Sequence, residues 1–252
     1  MASRPAVEPA LVTRAQRALC TILVAATLAA CSPSIGPRPT APGQQQWAPL
    51  IPDPTLGYGG GNTIGFYLPT CTRGDTTRCL QVVFAIGEIT PRTPDDFATF
   101  LRLAAPYLPN GFRRGQWAVI LDSGGGNVTA ALTLGTQFRQ MGWNTIVGLP
   151  YAGAGLDSHF SVCASACIYL FAGGAQRWVF QDNVLAIHQF SDGDHQHMNV
   201  AQAQYLSGVI GAYLFRMGVS ANLQTLASLT LPGQWTTLTI QDALALGLAN
   251  RR

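Results

Sequence analysis

The feature that most limits the fold of this chain is an alternation of short apolar runs with longer helical segments, joined by turns that contain glycine. The short runs are rich in β-branched, aromatic and aliphatic residues and have the length of buried strands. Strands that alternate with helices connect most simply as parallel neighbours. The sequence therefore predicts an α/β fold with a largely parallel sheet.

The individual elements can be placed from periodicity and from their turn residues. The predicted strands are residues 80–86, 117–121, 145–149, 177–180 and 184–188. Four helices are predicted. The first is capped by Asp95 or Asp96 and ends near Ala105, and the third begins at Val162 or Cys163. The second and fourth are Val128–Met141 and Val200–Met217.

The N-terminal 30 residues have the pattern of a secretory signal peptide. Arg14 and Arg17 precede a mostly apolar stretch, residues 18–30, that is too short to span a bilayer. The stretch ends in Leu-Ala-Ala-Cys at residues 28–31, which resembles the bacterial lipobox. We expect lipidation at Cys31 and a periplasmic protein held on a membrane, with Ser32 favouring the outer membrane over the inner one. The alternative is ordinary signal cleavage beside an incidental cysteine.

Residues 31–69 are rich in proline, glycine and glutamine, a composition typical of an extended tether. The strand and helix pattern starts only after this segment. We therefore expect a lipid-anchored tether over residues 31–69 and one folded domain over residues 70–252.

The charged residues exclude several functions. The net charge is only +3 and no basic stripe is present, which argues against a nucleic-acid partner. All 15 basic residues are arginine. Without lysine the chain cannot form a Schiff base, a Ser-Lys dyad or the phosphate-binding loop of an ATPase.

The six cysteines suit an oxidising compartment. Cys20 is removed with the signal peptide. Cys71 and Cys79 close a short polar loop, which predicts a disulfide between them. A zinc site is the alternative interpretation, but this loop supplies only two ligands. Cys163 and Cys167 stand one turn apart in a predicted helix, with Cβ atoms ~5–6 Å apart. We expect buried thiols there, or a bridge only if the helix starts later.

Three places in the predicted domain carry residues suited to chemistry. The turn Ser-Gly-Gly-Gly at residues 123–126 has backbone N–H groups that can face an anion, although it is equally typical of a tight turn. Ser165 lies between small residues at the start of a helix. His188 ends a buried strand, where histidine more often has a structural role.

The order of these three motifs identifies a resemblance. Ile-Leu-Asp-Ser-Gly-Gly-Gly-Asn-Val-Thr-Ala at residues 120–130, Cys-Ala-Ser-Ala at 163–166 and Ala-Ile-His-Gln at 186–189 resemble the proteolytic subunit of Clp proteases in the crotonase-like superfamily. The resemblance covers about residues 80–250. It implies the ClpP/crotonase-like fold, with helices packed around the sheet.

The resemblance also implies a site. Ser165 would be the nucleophile, His188 the general base, and the N–H groups of Gly125 and Ala166 the oxyanion hole. Peptides or unfolded proteins would be the substrates, no cofactor or metal would be needed, and a homo-oligomer would be a natural state. An ATP-driven unfoldase is not an expected partner, because the periplasm has no ATP and the chain has no nucleotide motif.

The chain departs from the family pattern at the third catalytic residue. Between Ala201 and the C-terminus the only acid is Asp242, in a late segment that matches a non-catalytic position. Ser228 and Thr230 lie near the expected place but cannot offset the charge of an imidazolium. Asp192 and Asp194 follow His188 closely and could substitute for the missing acid, but their loop would have to fold back for a carboxylate to reach Nδ1.

Two further interpretations of the sequence stay open, one for the segment after His188 and one for the whole chain. Histidines and aspartates at residues 188, 192, 194, 195 and 197 form a set that could bind zinc, but such a stretch is more often a solvated or substrate-binding loop. The whole chain could also be an inactive envelope lipoprotein that binds peptides, or an assembly module that stacks through the helices Val128–Met141 and Val200–Met217.

Overall fold

The fold is described from a computed structural model. It describes residues 52–61, 63–69, 81–108, 110–148, 161–190, 199–231 and 233–251. The strands are β1 (Pro52–Gly59), β2 (Gly65–Pro69), β3 (Val82–Ile86), β4 (Ala118–Asp122), β5 (Asn144–Val147), β6 (Val162–Ala164), β7 (Arg177–Val179), β8 (Val184–Ile187) and β9 (Thr236–Leu238). The helices are α1 (Thr93–Ala104), α2 (Val128–Met141), α3 (Ala166–Ala172), α4 (Val200–Met217), α5 (Asn222–Leu229) and α6 (Ile240–Ala245).

The main sheet has six strands in the order β1-β2-β3-β4-β5-β7. The last four are parallel neighbours, whereas β1 and β2 add an antiparallel hairpin at one edge. Its central strands are apolar on both faces: Val83 and Leu121 belong to the large core under the helices, and Phe84 and Ile120 form a second small cluster. Because both faces of these strands are buried, their sequences are continuous apolar runs and do not alternate with polar residues. The predicted α/β fold with a largely parallel sheet is confirmed.

A second sheet of three strands, β6-β8-β9, positions the candidate chemistry. β6 and β8 are parallel, and β8 and β9 are antiparallel. The two sheets are linked at Ser123, just past β4, whose N–H donates to Val162 O at 2.7 Å and whose carbonyl accepts from Ala164 N at 3.0 Å. This link brings the glycine turn after β4 against the end of β6.

The two longest helices have the predicted bounds because their ends are specified by adjacent residues. The Asn127 side chain accepts a hydrogen bond from Ala130 N at the start of α2, and Asn199 forms a capping box with Gln202 at the start of α4. Gly142 and Gly218 end these helices in the left-handed conformation that glycine adopts readily.

The start of α1 differs from the prediction. Asp95 and Asp96 lie in its first turn, not at its cap, and the helix begins at Thr93 with Pro94 next. Proline suits the first helical positions because it lacks the N–H that would be unpaired there. The two carboxylates still interact favourably with the positive end of the helix dipole.

The predicted start of the folded domain near residue 70 is wrong. β1 and β2 lie inside the segment predicted as tether, and β2 pairs with β3. Ile64, Phe66 and Leu68 are buried in the main core. The abundance of proline and glycine around them concealed a strand whose apolar residues alternate. The signal peptide, Cys31 and the rest of the tether prediction lie outside the described residues.

Within the described ranges, none of the helices is both long enough and apolar enough to cross a membrane.

Candidate active site

Ser165 occupies a sharp turn between a strand and a helix. The turn joins β6 to α3, and Ser165 has φ 55° and ψ −123° there. Positive φ is costly for a residue with a Cβ and persists only where the surroundings hold it. The Ser165 N–H donates to Ala186 O at 2.9 Å, which fixes the turn against β8.

The same pairing brings His188 to the serine. Ala164 pairs with Ala186 in the parallel register of β6 and β8, so the residues that follow the two strands emerge at one edge. Ser165 Oγ and His188 Nε2 are 2.8 Å apart, a hydrogen-bond distance. The structure thus brings together the predicted nucleophile and base, which are 23 residues apart in the chain.

Gly125 lies against the nucleophile turn. Its φ is +106°, and a Cβ on it would stand 2.7 Å from both Ala164 O and Ser165 Cβ and 3.0 Å from Ala166 N. Glycine alone can occupy this position without displacing the backbone beside Ser165. The turn Ser-Gly-Gly-Gly is therefore closely packed against the serine.

The two predicted oxyanion donors differ in their present partners. Ala166 is the first residue of α3, so its N–H has no intrahelical acceptor. The Gly125 N–H donates to the buried Ser123 Oγ at 3.1 Å. An oxyanion would have to replace or share Ser123 Oγ at this donor.

The far side of the imidazole has no hydrogen-bond partner among the described residues. His188 Nδ1 is buried and unpaired there. The Ser228 hydroxyl donates to Gln224 O at 2.8 Å, and the Thr230 hydroxyl is 2.7 Å from Thr236 Oγ1. Their carbonyls accept from Gln189, so these residues hold the neighbour of the histidine and not its ring.

Trp235 contacts the imidazole instead. The ring centroids of His188 and Trp235 are 4.4 Å apart and the rings are tilted by 69°. The indole is half exposed. Sequence reasoning missed this residue, since a lone tryptophan just before a short strand carries no motif. An edge-to-face contact of this kind orients a ring.

A small pocket adjoins the Ser165 and His188 side chains. It is lined by Ile168, Tyr169, Ile187, Leu223 and Ala227. Tyr169 is its only other titratable residue, and burial raises its pKa to about 12. The residues that surround Ser165 and His188 in this pocket are therefore apolar or, for Tyr169, neutral near pH 7.

Asp242, the single acid after Ala201, has a structural role. Its carboxylate accepts hydrogen bonds from the Thr239 N–H and hydroxyl at the start of α6. These bonds lower the pKa of Asp242. They form a capping box, so this acid stabilises a helix end.

The expectation of a helix from residue 162 or 163 and of buried thiols is wrong. Residues 162–164 form β6, and the helix begins at Ala166. Cys163 and Cys167 are joined by a disulfide with Cα atoms 5.2 Å apart. The later helix start, which the sequence left open, places Cys163 on a strand and lets its sulfur reach Cys167.

Several predicted site residues lie outside the described part of the chain: Cys31, Cys71, Cys79, Asp192, Asp194, His195 and His197. Within the described part, no three metal-ligating side chains come together.

Comparison with known proteins adds a structural likeness at low identity. No protein-family model matches the chain, and no curated protein matches it in sequence. Among solved structures it is similar to ClpP1 from Listeria monocytogenes, with 17% identity over 68% of this chain and 90% of that chain and a TM-score of 0.49. A mutant of the same protein gives 16% identity, the same coverage and a TM-score of 0.45.

Proposed function

We propose that the protein is a serine hydrolase of the cell envelope that cleaves peptides or unfolded proteins without ATP. The observation that carries the proposal is the 2.8 Å separation of Ser165 Oγ and His188 Nε2, with Ser165 on a turn of positive φ. A serine is a weak nucleophile until a base within hydrogen-bond reach can take its proton.

The geometry supports acyl transfer. Ser165 Oγ attacks the substrate carbonyl carbon and its proton passes to His188 Nε2. The carbonyl π electrons move to oxygen, and the N–H groups of Gly125 and Ala166 donate to that oxyanion. The carbonyl then re-forms, and the bond to the leaving group breaks as His188 returns the proton to it. Water, deprotonated by His188, releases the acyl group and restores Ser165.

The envelope location and the substrate class rest on the sequence. The signal-peptide pattern and the lipobox-like segment ending in Cys31 support export and a lipid anchor. The likeness of residues 120–130, 163–166 and 186–189 to Clp proteolytic subunits supports a peptide substrate. Val200, Tyr205 and Phe215 of α4 are exposed and favour self-association, which light scattering would measure.

The test is fluorophosphonate labelling of the full chain, followed by peptide mapping. We expect one label, at Ser165, that is lost in Ser165→Ala and reduced at least 100-fold in His188→Ala. Ser207→Ala, in α4, is the matched control and should label like the wild type. A folded wild-type protein that does not label would contradict the proposal.

A second function is favoured by one observation. His188 Nδ1 has no partner in the described chain, so the carboxylate that stabilises an imidazolium in a triad is missing from this part of the molecule. A protein that binds peptides in the same cleft without turnover would show that arrangement. Peptide binding unchanged by Ser165→Ala, with no labelling of the wild type, would favour this function.

A further inference from the structure

The Cys163–Cys167 disulfide encloses the nucleophile. Cys163 and Cys167 flank Ala164, Ser165 and Ala166, so the small covalent ring contains both Ser165 and the N–H of Ala166. Cys163 lies on β6 and Cys167 is the second residue of α3. Both cysteines are completely buried.

Hydrogen bonds hold both sides of this turn through groups other than the Ala166 N–H. On the strand side, Ala164 N donates to Ser123 O at 3.0 Å and Ser165 N donates to Ala186 O at 2.9 Å. On the helix side, the N–H of Ala166 has to remain unpaired if it is to receive an oxyanion. The carbonyl of the same peptide, Ser165 O, accepts from Ile168 N at 3.1 Å, and the disulfide adds a covalent link across the turn that also leaves the N–H available.

The turn also needs restraint because of its conformation. Ser165 is one of two residues other than glycine with positive φ in the described chain, and such a residue relaxes when its surroundings allow it. Joining β6 to α3 limits the movements that would accompany relaxation.

We propose that the Cys163–Cys167 disulfide is a positioning device that holds Ser165 and the Ala166 N–H in reactive geometry, so that oxidation of the two thiols activates the hydrolase. The inference rests on the proposed serine chemistry. It assigns the site a form of regulation: the chain is weakly active while its thiols are reduced and becomes fully active in an oxidising compartment, where the signal-peptide pattern would deliver it.

The activating step is a thiol–disulfide exchange. Cys163 and Cys167 together give up two electrons and two protons as their S–S bond forms, and a disulfide reagent or oxidoreductase is reduced to two thiols. A dithiol such as dithiothreitol drives the reverse reaction and becomes a cyclic disulfide itself.

The first measurement establishes the bond independently of activity. The full chain is unfolded with and without dithiothreitol, alkylated and analysed by peptide mass. We expect Cys163 and Cys167 to be alkylated only after reduction. Alkylation of both in the unreduced protein would overturn the inference and leave the serine hydrolase proposal intact.

The second measurement compares labelling at Ser165 in the wild type and in Cys163→Ala/Cys167→Ala. We expect the rate constant to fall about 10- to 100-fold, the loss typical of a reactive group that is slightly misplaced. In peptide hydrolysis kcat should fall with KM nearly unchanged. Cys71→Ala/Cys79→Ala is the matched control for a pair that does not enclose the serine, and its labelling rate should be that of the wild type.

Loss of stability is separated from loss of positioning by Leu134→Ala. Leu134 is fully buried in α2, so this variant lowers the unfolding temperature without altering the ring. It should label at the wild-type rate well below its unfolding temperature. If the double cysteine variant does not fold, wild type is unfolded, reduced and refolded without oxidant; its labelling should be slow and should recover when an oxidised dithiol is added.

The outcomes distinguish the two proposals. If the double variant or the reduced wild type labels as fast as the oxidised wild type, the positioning role is overturned and the hydrolase stands. If the oxidised wild type does not label Ser165, the hydrolase proposal fails, and the activating role of the bond fails with it.

Discussion

The two halves of the candidate site are supported very differently. On the nucleophile side, Ser165 lies in a five-residue disulfide ring, its N–H is hydrogen-bonded to β8, and Gly125 packs against it. On the base side, His188 Nδ1 has no partner among the described residues, and a half-exposed Trp235 lies beside the ring. The backbone and a covalent bond thus fix the nucleophile, whereas the described contacts of the imidazole are the hydrogen bond to Ser165 Oγ and the Trp235 ring.

This difference indicates where the proposed catalysis would be limited. A pre-formed nucleophile turn supplies orientation and oxyanion donors without help from the histidine. No carboxylate in the described part of the chain partners His188 Nδ1, so the charge that would stabilise an imidazolium as the proton arrives is missing there. We therefore expect an enzyme with a reactive serine and slow turnover, in which changes on the two sides have unequal effects.

The largest effect is expected from Gly125→Ala, which breaks the nucleophile side. The added Cβ would stand 2.7 Å from Ala164 O and Ser165 Cβ, at a φ of +106° that alanine avoids. Displacing the turn removes an oxyanion donor, so the labelling rate at Ser165 should fall about 100- to 1000-fold. Gly124→Ala is the control, because a Cβ there would meet nothing within 4 Å. Equal rates in the two variants would show that this close approach has no role.

A smaller effect is expected from Trp235→Ala on the base side. Loss of an aromatic contact worth about 1 kcal/mol lowers the rate roughly fivefold. Trp235→Phe keeps a ring beside the imidazole and should retain most of the activity. The two variants are compared with the wild type by their labelling rates and kcat over a range of pH. If Phe and Ala behave alike, the ring contact does not orient His188.

Ser123→Ala should change the rate in the opposite direction. It removes the hydroxyl that now accepts from the Gly125 N–H at 3.1 Å, so this donor becomes available to an oxyanion. One hydrogen bond of about 0.5–1.5 kcal/mol corresponds to a rise of roughly 2- to 10-fold in kcat. The unfolding temperature should fall slightly, since the turn loses a buried contact. A fall in kcat at constant KM would mean that Ser123 supports the donor and does not compete for it.

The smallest effect on activity is expected from Asp242→Asn. This variant tests whether the single acid after Ala201 interacts with His188. Thr239 hydrogen bonds lower the pKa of Asp242 below its ordinary value of 3.8, so the carboxylate stabilises the fold above that pH and the contribution is lost as the pH falls through the lowered pKa. The variant should unfold at a slightly lower temperature than wild type at pH 7, and the gap should narrow in acid. A change in labelling rate at pH 7 would instead connect Asp242 to His188.

The helices show how much local sequence determines. Asn127 and Gly142 bound α2, and Asn199 and Gly218 bound α4; each acts on backbone groups within about four residues of itself. Such signals are visible without knowing the rest of the fold. The alternation of apolar strands with these helices likewise predicts the parallel sheet.

The sequence by itself thus determined the fold class, the ends of the long helices and the residue types suited to acyl transfer. The tertiary structure decided that residues 52–69 join the sheet, that residues 162–164 form a strand, and that a disulfide encloses Ser165. It also placed Trp235 beside His188 and left Asp242 at a helix cap. The physical reason is range: caps and periodicity depend on neighbours along the chain, whereas a three-residue strand, a disulfide and a ring contact depend on partners that only the folded chain brings near.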